Sequence, residues 1–177
     1  RASRPIMDFV DDLSTWYIRR SRERLKSDDA SVAYTAHYYI AQVLRELSKI
    51  IAPFMPFLAE EMYGRVGGDK ESVHLETWPR AGEVSTDLIS TMSYVREIVS
   101  GALELRHTAG YKVRQPLQTL KIKTDSNSLN EQLIDLIKDE INVKEVVMDD
   151  SIDTPIWLDT TVTEELKNEG VARDIVR

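Results

Sequence analysis

The amino-acid sequence predicts a mainly α protein, in which a helical bundle is followed by a small α/β unit. Two observations support this class. Apolar residues recur at steps of three and four up to about residue 110, which is the spacing of one helix face. Beyond that point, short apolar runs alternate as strands do. We therefore predict a bundle over residues 1–110 and an α/β subdomain over residues 111–177.

The first helix is predicted from about Pro5 to Lys26. At helical spacing, one face carries Ile6, Val10, Leu13, Tyr17, Arg20 and Arg24. This face begins apolar and ends basic. Because a helix lying wholly on a core would stay apolar, we expect its last two turns to leave the core, with the two arginines exposed.

The second helix is predicted from Ala30 to about Ala52, with Asp28 or Asp29 as its N-cap. His37 falls on its apolar face and is expected to point into the core with its ring hydrogen-bonded.

Two prolines, Pro53 and Pro56, interrupt this helix, because each removes a backbone donor and crowds the preceding turn. A short helix is expected to follow in "FLAEEMYGRV" and to end at Gly67-Gly68.

A third long helix is predicted to begin near Ser85 or Thr86 and to close at Gly110. Its apolar face runs through Leu88, Met92, Val95, Val99 and Ala102, and the next position on that face is Arg106. This repeats the pattern of the first helix, an apolar face that ends in arginine.

The α/β subdomain is predicted from a change of period. The expected elements are a strand in "LQTLKIKT", a helix from Ser128 to Ile141, strands in "VKEVVMD" and "PIWLDTT", and a last helix opening at Thr163.

The composition excludes several classes of protein. The 42% hydrophobic and 30% charged residues are ordinary for a globular chain and unlike a disordered one. The absence of cysteine excludes disulfides and thiolate metal sites. No apolar run approaches the roughly 20 residues that span a bilayer, so no membrane partner is predicted. The chain starts at Arg1 without Met and stops inside a helical pattern, so we expect both ends to be cuts through a longer polypeptide.

The sequence shows no catalytic pattern. It has neither a phosphate-binding glycine loop nor a nucleophile elbow. His37, His74 and His107 are far apart, without metal-ligand spacing. The adjacent acid pairs are expected to be solvated charge. We therefore predict no catalytic residue, no metal site and no cofactor within this chain.

The charge is unevenly distributed. The net charge is −7, yet residues 16–26 and 96–123 each carry +4, while residues 125–177 carry −9. Arginine donates paired hydrogen bonds to phosphate, and neighbouring aromatic rings such as Trp16 can stack on unpaired bases. These basic segments fit an RNA-binding surface. They equally fit a solvated helix face beside a core aromatic pair, and a plain linker that balances the acidic subdomain.

Four stretches together resemble one family, isoleucyl-tRNA synthetase: "FVDDLSTWYIRRSRERLK", "LRHTAGYKVRQPLQTLKI", "INVKEVV" and "LDTTVTEELKNEGVARDIVR". The resemblance is weakest from Gly67 to Glu83. Valyl and leucyl synthetases share the bundle and remain alternatives, although "RRSR" and "KVRQPL" favour the isoleucyl enzyme. Tyr111 stands where an aliphatic residue is more usual.

The resemblance implies the anticodon-binding bundle and adjoining α/β part of a cytoplasmic class I synthetase. Such a parent would ligate isoleucine to its tRNA with ATP and Mg, but motifs of the "HIGH" and "KMSKS" kind are missing from this chain. The implied partners are isoleucine tRNA and the remainder of the synthetase. Carried over by position, the tRNA-binding residues would be Trp16, Arg19, Arg20, Arg22, Lys112, Arg114 and Gln115. The basic ends of the two helix faces add Arg24 and Arg106 to this list.

Two other interpretations of the chain's function remain open. The chain could be a helical protein-interaction module whose arginine face meets an acidic partner. A free-standing enzyme would have to show turnover by this chain alone.

Overall fold

The computed structural model describes residues 4–123 and 129–175. Parts of three predictions lie outside the described residues: the strand end at Thr124, the helix start at Ser128 and the last two residues of the final helix.

The predicted class, mainly α with a small α/β part, is confirmed. The helices are α1 (Arg4–Asp12), α2 (Arg19–Leu25), α3 (Ala30–Ile51), α4 (Pro56–Arg65), α5 (Thr86–Thr108), α6 (Glu131–Ile141) and α7 (Glu164–Ile175). A π-helical turn, Leu13–Ile18, joins α1 to α2, and a single 3-10 turn occupies Val73–Leu75. The strands are β1 (Leu117–Ile122), β2 (Val143–Met148) and β3 (Ile156–Leu158).

The chain forms two compact units, Arg1–Gly82 and Glu83–Arg177. Helix α5 belongs to the second unit, where it packs on α6 and β3. The change from helical to strand spacing after Gly110 therefore falls inside that unit. The division into domains at residue 110 stays a prediction.

In the first unit, α2 and α3 form a helical hairpin. Asp29 caps α3 by accepting hydrogen bonds from the backbone N–H groups of Ser31 (2.8 Å) and Val32 (3.4 Å), as predicted for this stretch. The two prolines end α3 and open α4, and Pro56 lies in the first turn of α4, where no intrahelical donor is lost.

The first unit has its core between α3, α4 and the loop that follows α4. The buried residues of this core are Leu47, Ile51, Ala52, Ala59, Tyr63 and Val73. The Tyr63 hydroxyl donates to the Glu76 carboxylate and accepts from the Lys70 backbone N–H at 3.0 Å, which fastens the loop to α4. Burial, followed by the hydrogen bond to Glu76, raises the pKa of Tyr63.

The prediction that His37 faces the core is wrong, because its side chain is exposed. The ring is nevertheless hydrogen-bonded, with Nδ1 2.7 Å from the carbonyl oxygen of Ala33 one turn earlier. This local bond satisfies the ring without burial.

In the second unit, a three-stranded sheet has the order β2-β1-β3. Strands β1 and β2 are parallel, with Leu117 opposite Val143, and α6 is the crossover between them. Strand β3 pairs with β1 in antiparallel fashion, with Lys121 opposite Trp157. The buried side chains between the sheet and its helices include Val95, Val99, Ala102, Leu120, Ile122, Ile137 and Ile141.

Local chemistry explains the ends of α6. The Asn130 side chain caps its first turn by accepting from the Leu133 backbone N–H at 2.9 Å. Asn142 ends it with φ 51°, the left-handed conformation that asparagine tolerates better than most residues. This turn aims the chain directly into β2.

Candidate nucleic-acid interface

The π-helical turn Leu13–Ile18 decides which residues of α2 face outward. In a regular α-helix, residues seven apart share a face, so the buried Leu13 would bring Arg20 inward. A π turn closes i→i+5 hydrogen bonds and accommodates one extra residue. The inward position is therefore Ser21, which is 1% exposed. The predicted continuous face from Leu13 to Arg20 is wrong by one position, for this reason.

As a result, α2 exposes its basic residues. The exposed side chains include Arg19, Arg20, Arg22 and Arg24. Arg24 Nη2 donates to the buried Ser21 Oγ at 2.8 Å, so this arginine is held close to the helix at the end of α2. The prediction that Arg20 and Arg24 are exposed is confirmed. The expectation that these turns leave the core is wrong, because α2 packs on α3 with Ser21 buried.

Trp16 is half-buried and lies in the π turn. The Arg19 guanidinium carbon lies 5.8 Å from the centroid of its ring, within the range of a cation–π contact. Arg19 Nε also donates to the Thr15 carbonyl at 2.7 Å. The indole and the guanidinium thus form one ordered basic–aromatic pair at the surface.

In the second unit, Arg106 does not reach the surface. It is 1% exposed, so the expectation of a second exposed arginine at the end of an apolar helix face is wrong. Its guanidinium donates to the backbone carbonyls of Ile141 at 3.0 Å and Lys112 at 2.6 Å, and also to those of Val113 and Gln115. Arg106 therefore joins the end of α6 to the segment between α5 and β1.

Backbone carbonyls make this buried charge tolerable. The Ile141 carbonyl belongs to the C-terminal turn of α6, where the helix dipole favours a cation. Burial lowers the pKa of the Arg106 guanidinium, but the ordinary pKa of arginine is so far above neutrality that the group stays charged at neutral pH.

The connector, residues 111–116, is held from two sides. Arg106 binds it from within, while Asn142 Nδ2 donates to the carbonyls of Val113 (2.9 Å) and Arg114 (3.0 Å). With the backbone fastened in this way, the side chains of Lys112 and Arg114 are exposed.

Unlike Lys112 and Arg114, Gln115 points its side chain toward α7. Its side chain is half-buried and Nε2 donates to the carbonyls of Leu166 on α7 (2.8 Å) and Pro116 (3.1 Å). The structure thus gives Gln115 a packing contact between the connector and α7, and it leaves Lys112 and Arg114 as the cations that the connector presents.

Other kinds of site find little support in the described part of the chain. Among residues 4–123 and 129–175, no three His, Asp or Glu side chains are grouped so that they could hold a metal ion. None of the helices in those ranges is both long and apolar enough to cross a membrane.

Residues 1–122 match the family described as the anticodon-binding domain of tRNA ligase. The chain belongs to this family. The chain is 41% identical over 173 residues to the isoleucine–tRNA ligase of Chlamydia muridarum, a match that covers 94% of this chain and 16% of that relative. The corresponding enzyme of Mycobacterium leprae is 34% identical over 176 residues, covering 98% of this chain and 16% of the relative. That of Thermoplasma acidophilum is 37% identical over 161 residues, covering 88% and 15%. The chain thus spans less than a fifth of these curated relatives.

Two features of this chain were not predicted from its sequence. The π turn leaves no plain signal in "LSTWYI", since the same letters fit an α-helix. The left-handed Asn142 was detectable in principle, because asparagine directly after an apolar helix face is a C-terminal cap signal.

Proposed function

We propose that this anticodon-binding domain binds the anticodon arm of isoleucine tRNA as part of an isoleucine–tRNA ligase. The observation that carries the proposal is the cluster of exposed arginines on α2 beside Trp16. Guanidinium groups donate paired hydrogen bonds to phosphate, and the flat face of an indole ring is a stacking surface for an exposed base.

The names of the reported relatives support isoleucine as the amino acid, rather than valine or leucine. The whole enzyme would ligate isoleucine to tRNA with ATP and Mg, in the cytoplasm. Because none of the residues identified in this chain performs that chemistry, we expect the chain alone to produce no aminoacyl-tRNA in an aminoacylation assay.

On the connector, Lys112 and Arg114 are proposed as further phosphate contacts. Arg106 and Gln115 are proposed to act indirectly, since their side chains bind the backbone that carries these two cations. Phosphate contacts of this kind position an RNA, while contacts to base edges would specify it.

The first test is the double substitution Arg19→Ala and Arg20→Ala in the full-length ligase. Removing two phosphate contacts should weaken tRNA binding and lower the slope of log affinity against log salt by about 0.7 to 0.9 per contact. Affinity is measured by filter binding across a salt series.

The matched control is Arg65→Ala with Arg80→Ala, which removes the same charge from exposed positions of the same unit. The control should bind tRNA as the wild type does. Equal affinity and equal salt slope for the α2 variant and the control would contradict the proposal. Displacement of tRNA by polyglutamate as readily as by unlabelled tRNA would favour the acidic-partner module instead.

A further inference from the structure

A groove of about 490 Å³ opens in the second unit, where the connector, the end of α6, the start of β2 and α7 meet. Its polar lining consists of Arg114, Lys138, Asp139, Asn142, Lys144 and Arg173. Four cations and one acid thus face a single groove.

This arrangement is unexpected for its surroundings. Residues 125–177 carry a net charge of −9 and only five basic residues. Three of those five, Lys138, Lys144 and Arg173, line the groove. Because like charges repel, a groove that brings several cations together needs a nearby interaction that offsets their repulsion.

Part of that compensation is internal. Glu169 accepts from Lys144 at 2.6 Å and from Arg173 at 2.8 Å, so one carboxylate aligns two cations. Lys138 contacts Asp135 at 3.3 Å. In the lining itself, four cationic side chains stand against one acid, Asp139.

The groove is also physically continuous with the connector. Asn142 donates to the carbonyls of Val113 and Arg114, and its Oδ1 accepts from Arg173 Nη1 at 2.8 Å. Asn142 thus contacts both the connector and the arginine of α7, and all of them line the groove. The Lys144 and Arg173 side chains are therefore held by Glu169 and Asn142 before any ligand arrives, which reduces the entropy lost on binding.

We propose that this groove is a second phosphate-binding site, which takes a backbone phosphate of the tRNA. Arg114 and Arg173 offer planar donor forks, and the two lysines add compact positive charge. The inference rests on the proposed function, in which the chain binds the anticodon arm of a tRNA and the connector cations Lys112 and Arg114 contact its phosphates. It adds Lys138, Lys144 and Arg173 to the interface.

The test uses the full-length ligase with Lys138→Gln and Lys144→Gln. This variant keeps Asn142 and the Arg173–Glu169 ion pair, so the groove retains its scaffold. The control is Lys123→Gln with Lys167→Gln, two exposed lysines of the same unit that do not line the groove. Binding of isoleucine tRNA is measured from 50 to 200 mM salt.

The groove variant should bind tRNA more weakly than the control, with a salt slope lower by roughly one for each lysine that contacts phosphate. The charge-preserving variant Lys138→Arg with Lys144→Arg should restore both affinity and slope. If circular dichroism shows that the glutamine variant does not fold, the arginine variant still tests the proposed phosphate site. Arginine variants that bind tRNA no better than a folded glutamine variant would overturn the proposal.

The result is separable from a failure of the proposed function. If the α2 arginine variant loses affinity while the groove variant matches its control, only the groove proposal is overturned. If neither variant differs from its control, both the groove proposal and the proposed function are overturned. Displacement of tRNA by polyglutamate that depends on Lys138 and Lys144 would overturn the phosphate assignment in favour of an acidic protein partner.

Discussion

Arg106 shows how a single buried side chain can shape a surface that it never reaches. Its guanidinium donates hydrogen bonds to carbonyls of the connector and of the end of α6. Hydrogen bonds from a charged donor to buried acceptors are among the stronger polar contacts in proteins, and leaving such acceptors unpaired is costly.

We expect Arg106→Met to destabilise the second unit by about 2–4 kcal/mol, because the buried Ile141 carbonyl and the part-buried carbonyls of the connector lose their donor. Arg106→Lys should recover only part of this, since an ammonium lacks the planar fork that spans both segments. Urea unfolding measures the free energy, and hydrogen exchange at residues 111–116 reports the connector. Unchanged exchange in the methionine variant would contradict the positioning role.

Asp149 provides a pH-dependent contact at the end of β2. Its carboxylate accepts from Lys121 Nζ at 2.7 Å and from the Ser151 backbone N–H at 2.9 Å. These hydrogen bonds, that from Lys121 foremost, hold the pKa of Asp149 well below its usual range.

Because the folded pKa of Asp149 lies below the unfolded value of about 3.9, its contribution to stability is present above that pH. It is lost as the pH falls toward the folded pKa. Asp149→Asn should therefore lower stability at pH 6 and make the acid side of the stability profile shallower. Unfolding midpoints from pH 6 to pH 2.5 measure this, with the exposed Asp153→Asn as control. Parallel profiles for the two variants would refute the assignment.

At the scale of elements, helix α7 depends on a glycine for its contact with the connector. A Cβ on Gly170 would lie 2.5 Å from Gln115 Oε1. The Gln115 amide cannot simply swing away, because it holds the Leu166 and Pro116 carbonyls.

Gly170→Ala should consequently destabilise the second unit, although alanine normally gains about 1 kcal/mol over glycine inside a helix. Gly64→Ala in α4 is the matched control, since a Cβ there meets nothing within 4 Å. That variant should be stabilised by up to about 1 kcal/mol. The thermal unfolding midpoints of both variants test this prediction. A higher midpoint for Gly170→Ala than for the wild type would contradict it.

Sequence periodicity located most elements because each carries its signal locally. Asp29, Ser85 and Gly110 mark helix ends through caps and a left-handed turn that act within a few residues. The register of α2 was missed because one extra residue in a π turn alters no apolar spacing before it. The burial of Arg106 was missed because its partners are up to 35 positions away.

For the whole molecule, charge distribution matters more than net charge. A chain with a net charge of −7 repels RNA at long range, while its arginines attract phosphate at close range. The proposed interaction is therefore expected to be weak for this chain alone and strongly dependent on salt.

Isothermal titration of tRNA into the chain at 50 and 200 mM salt tests this expectation. Affinity should fall with salt, because neutralised phosphates release their counterions. Affinity that does not change with salt would show that arginine–phosphate contacts are not the basis of binding.

By itself, the sequence determined the mainly α class, the order of the elements and the uneven charge, since these depend on neighbours along the chain. Only the tertiary structure decided what each cation does. The exposure of Arg20 was predicted, but its cause is the π turn, which puts Ser21 in the buried position instead. Arg106 is internal because distant carbonyls accept its hydrogen bonds. Lys138, Lys144 and Arg173 came to one groove from separate elements. The sequence determines which residues are charged, but the packing of distant segments determines what surrounds each charge and therefore what it does.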